Sequence, residues 1–309
     1  MLDLACAPLS AVSLLWLGSM RRLGNAKLPI HRKLYRKVGV YPTIDHYYDP
    51  FLKRGDRPTR QDWNLPGLDW NVKAQLDLLK QFRWQAELAA FATTPASPPT
   101  FSYDNPAFGV GDAEILYSMI RHFKPRRMVE IGSGSSTLIA VAALAANRAE
   151  NPAYECDHAC IEPFECPWLS SLPVRLIRQR AETVEPSLFS DLRAGDVLFV
   201  DSSHVIRPGG DVLFEILEVI PSLQKGVVIH VHDIFSPRDY PDAWMSDEIR
   251  LWNEQYLLEA FLSHNCDFSI ISALNFLFHH HRAALREACP MLDASVTRRE
   301  PASFWFMRH

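Results

Sequence analysis

Residues 128 to 137 read Met-Val-Glu-Ile-Gly-Ser-Gly-Ser-Ser-Thr, and an Ala/Leu-rich stretch follows. An apolar run that ends in a glycine-rich turn and opens into a helical pattern predicts a strand, a tight loop and a helix. Three later apolar runs end on acidic residues too: Cys-Ile-Glu162, Val-Leu-Phe-Val-Asp201 and Val-Val-Ile-His-Val-His232-Asp233. Strands alternating with helices give a parallel sheet with helices on both faces. Such a sheet binds ligands at the carboxyl ends of its strands, where these acidic residues fall.

The pattern predicts helices from Asp112 through His122, Ser136 to Arg148, near Pro186–Arg193, Asp211 to Leu223 and Asn253 to Leu262. It predicts strands over 127–132, 154–162, 174–177, 196–201 and 226–231. A long strand is expected over Phe268–Phe278 and a short one over Ser303–Met307. The fold class expected is therefore α/β, a Rossmann-like doubly wound sheet with an antiparallel C-terminal strand. Residues 101–309 would form that domain. Residues 1–100 read as a mostly helical and irregular extension, with one helix over Val72–Ala90 and a Pro/Ser bend at 94–99. Together with 233–252 they are expected to cover the cleft and choose the substrate.

Apolar residues make up 48% of the 309, enough for a large core without disulfides, and the net charge of −4 gives no electrostatic argument for nucleic acid. Six cysteines at 6, 156, 160, 166, 266 and 289 are too sparse for a disulfide scaffold. They fit a reducing, cytoplasmic compartment. Cys156, His158, Cys160 and Cys166 cluster, but their spacing matches no paired zinc knuckle, and packing is the reading preferred. Ala5–Met20 is uncharged and apolar, broken by Pro8, and shorter than the roughly 20 residues of a spanning helix. Seven Lys or Arg and no acid follow between Arg21 and Lys37. A docked terminal helix with a solvated basic face is preferred. The alternative is peripheral membrane contact through residues 1–37 on an anionic surface.

At the strand ends, Gly132 and Gly134, on either side of Ser133, let the backbone approach a ligand that a Cβ would block. Glu162 is placed to accept both hydroxyls of a ribose. Contacts to a base are expected from Gln179–Glu182. Asp201, His232 and Asp233 end adjacent strands and converge, a donor set that suits a divalent ion; otherwise they line the cleft. His204 is a candidate general base, since a free imidazole titrates near 6.5, or it only positions its loop. Arg207 either holds an anionic group or is solvated. His279–His281 read as a loop, and Tyr47, Tyr48, Trp244 and Trp252 as core aromatics.

Taken together, Phe-Gly-Val-Gly-Asp-Ala-Glu at 108–114, Val-Glu-Ile-Gly-Ser-Gly-Ser-Ser-Thr at 129–137, Cys-Ile-Glu-Pro at 160–163, Phe-Val-Asp-Ser-Ser-His at 199–204 and His-Val-His-Asp-Ile-Phe at 230–235 resemble class I S-adenosylmethionine-dependent methyltransferases. The nearest group in kind is the bacterial small-molecule O-methyltransferases. The resemblance covers about residues 101–309. It implies S-adenosyl-L-methionine as cofactor, held by Glu130, Gly132, Ser133, Gly134, Glu162 and Asp201, with Glu130 beneath the methionine moiety or bracing the turn. It implies His204 and Asp201 as catalytic residues, and a divalent cation such as Mg²⁺ on Asp201, His232 and Asp233. His232 stands where an acid or amide is more typical, which leaves room for a softer ion or none. The acceptor would be a small-molecule or sugar hydroxyl. No nucleic acid partner is expected, and a homo-oligomer is compatible with the sequence. An NAD-type oxidoreductase and a non-catalytic cofactor-binding scaffold stay open, although Ser-Thr replaces the third glycine of the dinucleotide fingerprint.

Overall fold

In the computed structural model, residues 2–24, 27–43, 61–94, 99–164, 166–294 and 299–309 are described. Tyr47, Tyr48 and most of the 94–99 bend lie outside them. The chain divides into two units: Met1–Arg60 with Pro241–Leu251, and Gln61–Tyr240 with Trp252–His309.

The smaller unit carries a helix over Leu2–Leu23 and a second over Pro29–Val38, closed by Gly39 at φ 79°. The first runs through Pro8, so the expected break does not occur. Its apolar side chains are exposed rather than docked: Leu4 is 83% exposed and Leu15 74%. The 241–251 segment holds a π-helical turn, Ala243–Asp247, and Arg250 lies over the Trp244 ring at 4.3 Å.

The larger unit is built on seven strands: β1 Arg127–Ile131, β2 Asp157–Ile161, β3 Arg175–Ile177, β4 Val197–Val200, β5 Val228–Val231, β6 Phe268–Ala273 and β7 Phe304–Arg308. Their order is β3-β2-β1-β4-β5-β7-β6. The first five are parallel, and β7 runs antiparallel to both β5 and β6. This is the α/β, Rossmann-like sheet with an antiparallel C-terminal strand that the pattern predicts.

Alternation along the strands sends one set of side chains to each face. Met128, Phe199, Val228 and Trp305 pack with helix Asp112–Phe123 and helix Ser135–Glu150. Val129, Ile131, Leu198, Val200, Ile229 and Val231 pack on the other face with helix Glu254–Leu262. Strands buried on both sides explain why their sequences are continuously apolar.

Three local expectations change. The helix expected over 72–90 is two, Val72–Leu79 and Gln85–Ala89. The chain turns between them so that Phe82 is buried alongside Leu79 and Leu88, and burial overrides the helical spacing. The strand expected over 268–278 stops at Ala273 and continues as helix Leu274–His280. Ala273 pairs with Phe304, the first residue of β7, so the backbone beyond it has no strand to pair with and bonds to itself instead. That helix takes in His279 and His280, so the histidine tract is not a loop.

Residues 61–94 are pinned to this unit. Gln75 accepts the Ala273 amide at 2.7 Å, and the Asn71 side chain donates to the Ile270 carbonyl at 3.1 Å. Both bonds fall at the β6 irregularity between Ile270 and Ser272.

Candidate functional site

A cavity of about 860 Å³ opens along the carboxyl ends of β1, β2 and β4, and Gly132–Ser136, Glu162, Arg180–Glu182 and Asp201–Ser203 form much of its wall. Residues 100–108 close another side, including Asp104, Asn105 and Phe108. That volume is in the range of cofactor pockets.

The glycine turn is fixed by close approach. Gly132 sits at φ +77°, and a Cβ there would lie 1.7 Å from the Asp201 carbonyl oxygen. The turn after β1 therefore touches the end of β4, and only glycine fits. Gly134 is different: a Cβ would meet only Cys166 Sγ, at 4.0 Å, so this glycine keeps the cavity wall low.

Glu130 does not line the cavity. It is fully buried and accepts from Ser136 Oγ at 2.7 Å and Thr137 Oγ1 at 3.0 Å, and pairs with His158 Nε2 at 2.8 Å. Thr137 Oγ1 in turn accepts the Gly134 amide at 3.0 Å. These bonds tie Glu130 to the start of the helix that follows the glycine turn. Cys160 Sγ stands 3.6 Å from Glu130 and 3.5 Å from His158. Those three could surround an ion, but their atoms are engaged with one another and fully buried. Cys166 lies apart, on the cavity wall.

Glu162 ends β2, lines the cavity, and accepts the Phe164 amide at 2.9 Å. The Arg178 guanidinium donates to its carbonyl at 2.9 Å and fixes the strand end. Arg180 and Glu182 pair with each other on the cavity wall, in the segment expected to contact a base. Arg207 also lines the cavity, 3.8 Å from Asp211.

Asp201, His204, His232 and Asp233 are brought together. His204 Nε2 is 3.2 Å from Asp201 and 3.9 Å from Asp233, while its Nδ1 is 2.8 Å from Glu254. His232 Nδ1 is 3.5 Å from Asp201 and 3.6 Å from Asp233, and its Nε2 is 3.5 Å from Asp112. His204 and Asp233 both hold left-handed backbone, φ 59° and 56°, a strain that side chains tolerate where surrounding contacts over-determine them. The trio whose ligand atoms lie within 4.8 Å of one another is Asp201, His204 and Asp233, with His232 beside it.

The charges around His204 act on its proton. Burial alone would lower the His204 pKa, but the Asp201 and Glu254 carboxylates push it up to about 10. The two acids that hold the ring therefore favour its protonated form. Burial opposes the charge on Asp201 as well, yet His232 and His204 hold its carboxyl well below the usual range. Burial and the neighbouring His232 drive His230 well below 6.5, a neutral ring stacked on Phe199 at 4.0 Å.

Two members of this cluster carry no local sequence signal. Glu254 begins a helix fifty residues beyond His204, where an acid at a helix start reads as a cap. Asp112 also reads as a cap, but its Oδ1 accepts the amides of Ala302 and Ser303 at 2.9 and 2.7 Å. Trp252, read as core, lies against His204 at 4.2 Å.

Residues 129–234, which run from β1 through the end of β5, match a family model described as a methyltransferase domain. The chain is also 32% identical over 116 residues to an uncharacterized protein of Archaeoglobus fulgidus, across 34% of this chain and 52% of the relative. The match spans about half the length of that relative. With the sheet order and the strand-end cavity, the family likeness supports a methyltransferase domain of Rossmann-like fold in this part of the chain.

Proposed function

We propose that the cavity binds S-adenosyl-L-methionine and that the protein methylates the hydroxyl of a small molecule or sugar. One observation carries the reading: the glycine turn, the Glu162 carboxylate and Asp201 all open onto the same cavity. When bound, the cofactor supplies an electrophilic methyl on a sulfonium, so no covalent enzyme intermediate is needed. Glu162 would accept hydrogen bonds from the ribose hydroxyls. The amides at the start of helix Ser135–Glu150 would meet the amino-acid carboxylate, because a helix N-terminus favours negative charge. Arg180–Glu182 would border the base.

Asp201 is the member of its cluster that lines the cavity, with a side chain 26% exposed. It would accept a hydrogen bond from the acceptor hydroxyl and hold that oxygen in line with the methyl, where orientation supplies much of the rate. Once methylated, the acceptor oxygen would be an oxonium with one proton to lose. An oxonium is far more acidic than a carboxylic acid, so Asp201 can take its proton even with a depressed pKa. His204 and His232 would keep Asp201 anionic and oriented. A divalent ion on Asp201, His204 and Asp233 is the second reading, favoured by their mutual distances. It would need His204 without its proton, against a pKa near 10.

Calorimetry with S-adenosylhomocysteine tests the cofactor reading. Glu162→Gln should weaken binding by about 10- to 100-fold, the loss of one or two charge-assisted hydrogen bonds, with an unchanged unfolding midpoint. Unchanged affinity in Glu162→Gln, or binding of NAD by the wild type instead, would overturn it.

A further inference from the structure

The helix over Asp3–Leu23 is long and apolar enough to cross a membrane, and none of it is buried in the protein. At 1.5 Å per residue, its 21 residues extend about 31 Å, close to the roughly 30 Å of a bilayer's hydrocarbon core. A core helix of a soluble fold would be covered, but Leu4, Leu9, Val12, Leu14 and Leu15 are each at least 66% exposed. With Leu17, which falls in the gap between them beside Ser10 and Ser13, those positions are spread round the axis, because successive residues turn by about 100°. A helix apolar on all sides is suited to span, whereas one lying in the interface needs a polar face. Pro8 near its start is tolerated in that setting.

The helix over Pro29–Val38 has the complementary design. Ile30, Leu34 and Val38 form an exposed i, i+4, i+8 stripe, 71%, 50% and 69% exposed. Arg32, Lys33, Arg36 and Lys37 lie on one flank of the stripe and His31 with the buried Tyr35 on the other, and Arg21, Arg22 and Lys27 precede them with no acid in between. Such a helix lies in an anionic interface with its stripe among the acyl chains and its cations among the headgroups.

We propose that residues 3–38 are a membrane anchor: the first helix crosses the bilayer, and the second rests on its anionic-lipid surface. The anchor would tether the rest of the chain to that surface.

The test uses the purified full-length chain and flotation with phosphatidylcholine vesicles, with and without about one-third phosphatidylserine. The chain should float with both and stay bound through high salt and alkaline carbonate washing. Leu14→Arg, in the middle of the exposed helix, should make it extractable by carbonate. Replacing Arg32, Lys33, Arg36 and Lys37 together by Gln should leave flotation with neutral vesicles unchanged. It should lower the preference for anionic vesicles at least about tenfold. Release of the wild type by salt or carbonate would overturn the spanning helix. So would a soluble oligomer that ignores vesicles, or mass spectrometry of membrane-expressed protein showing residues 1–23 removed.

Discussion

Two buried polar clusters lie on the same sheet, and they differ in how completely they are closed. Around Glu130, hydroxyls from Ser136 and Thr137 and the His158 imidazole converge on one carboxylate, and none of the bonds points into the cavity. Around Asp201, two imidazoles and three more acids gather, the His232 nitrogens stand a longer 3.5 Å from Asp201 and Asp112, and Asp201 reaches the cavity wall. The first cluster spends its polarity on holding the glycine turn. The second keeps polarity in reserve at the place where a substrate can arrive. Burial and charge alone do not separate a brace from a candidate site; access to the cavity does.

The sharpest way to break the comparison is at the contact between the two regions. Gly132→Ala puts a methyl 1.7 Å from the Asp201 carbonyl and forces a left-handed alanine, so loss of about 4 kcal/mol or more, or failure to fold, is expected. A near-native urea midpoint for that variant would show that the turn does not touch β4.

The next test exchanges the clusters' roles. Glu130→Gln aims an amide NH₂ or a poorer acceptor at the donors of Ser136, Thr137 and His158, and should cost about 2–4 kcal/mol in urea unfolding. Asp201→Asn should fold with a smaller loss but slow methyl transfer by about 100-fold or more, measured once an acceptor is in hand. The opposite pattern would reverse the assignment of brace and site.

The last test is a slope. His204 binds its proton more tightly folded, near pKa 10, than the ordinary 6.5. Its contribution to stability is therefore complete below about pH 6.5 and is lost as pH rises through 10, at up to about 1.4 kcal/mol per pH unit. Urea midpoints of chelator-treated protein should fall between pH 7 and 10, and His204→Gln should flatten that decline. An equally steep decline in the variant would place the proton elsewhere.

Much of this was legible in the chain. Strands buried on both faces leave unbroken apolar runs, and a glycine that must lie against a neighbouring strand leaves its mark, so β1 to β5, Gly132 and the Glu162 and Asp201 strand ends could all be read. The end of β6 could not, because a run such as Ala-Leu-Asn-Phe-Leu-Phe suits either state until its pairing partner is known. Glu254 and Asp112 were hidden for a related reason: each resembles an ordinary helix cap, and only the fold brings them to His204 and His232. The acids that raise the His204 pKa were not legible either, because one of them lies fifty residues away. The exposure of the first helix also needed coordinates, since an apolar segment reads the same docked or bare.

The most direct measurement is a crystal structure with S-adenosylhomocysteine. The ribose hydroxyls should lie on Glu162, the amino-acid end against Gly132–Ser136 and the sulfur facing the space beside Asp201. A ligand bound elsewhere, or one whose sulfur points away from Asp201, would contradict it.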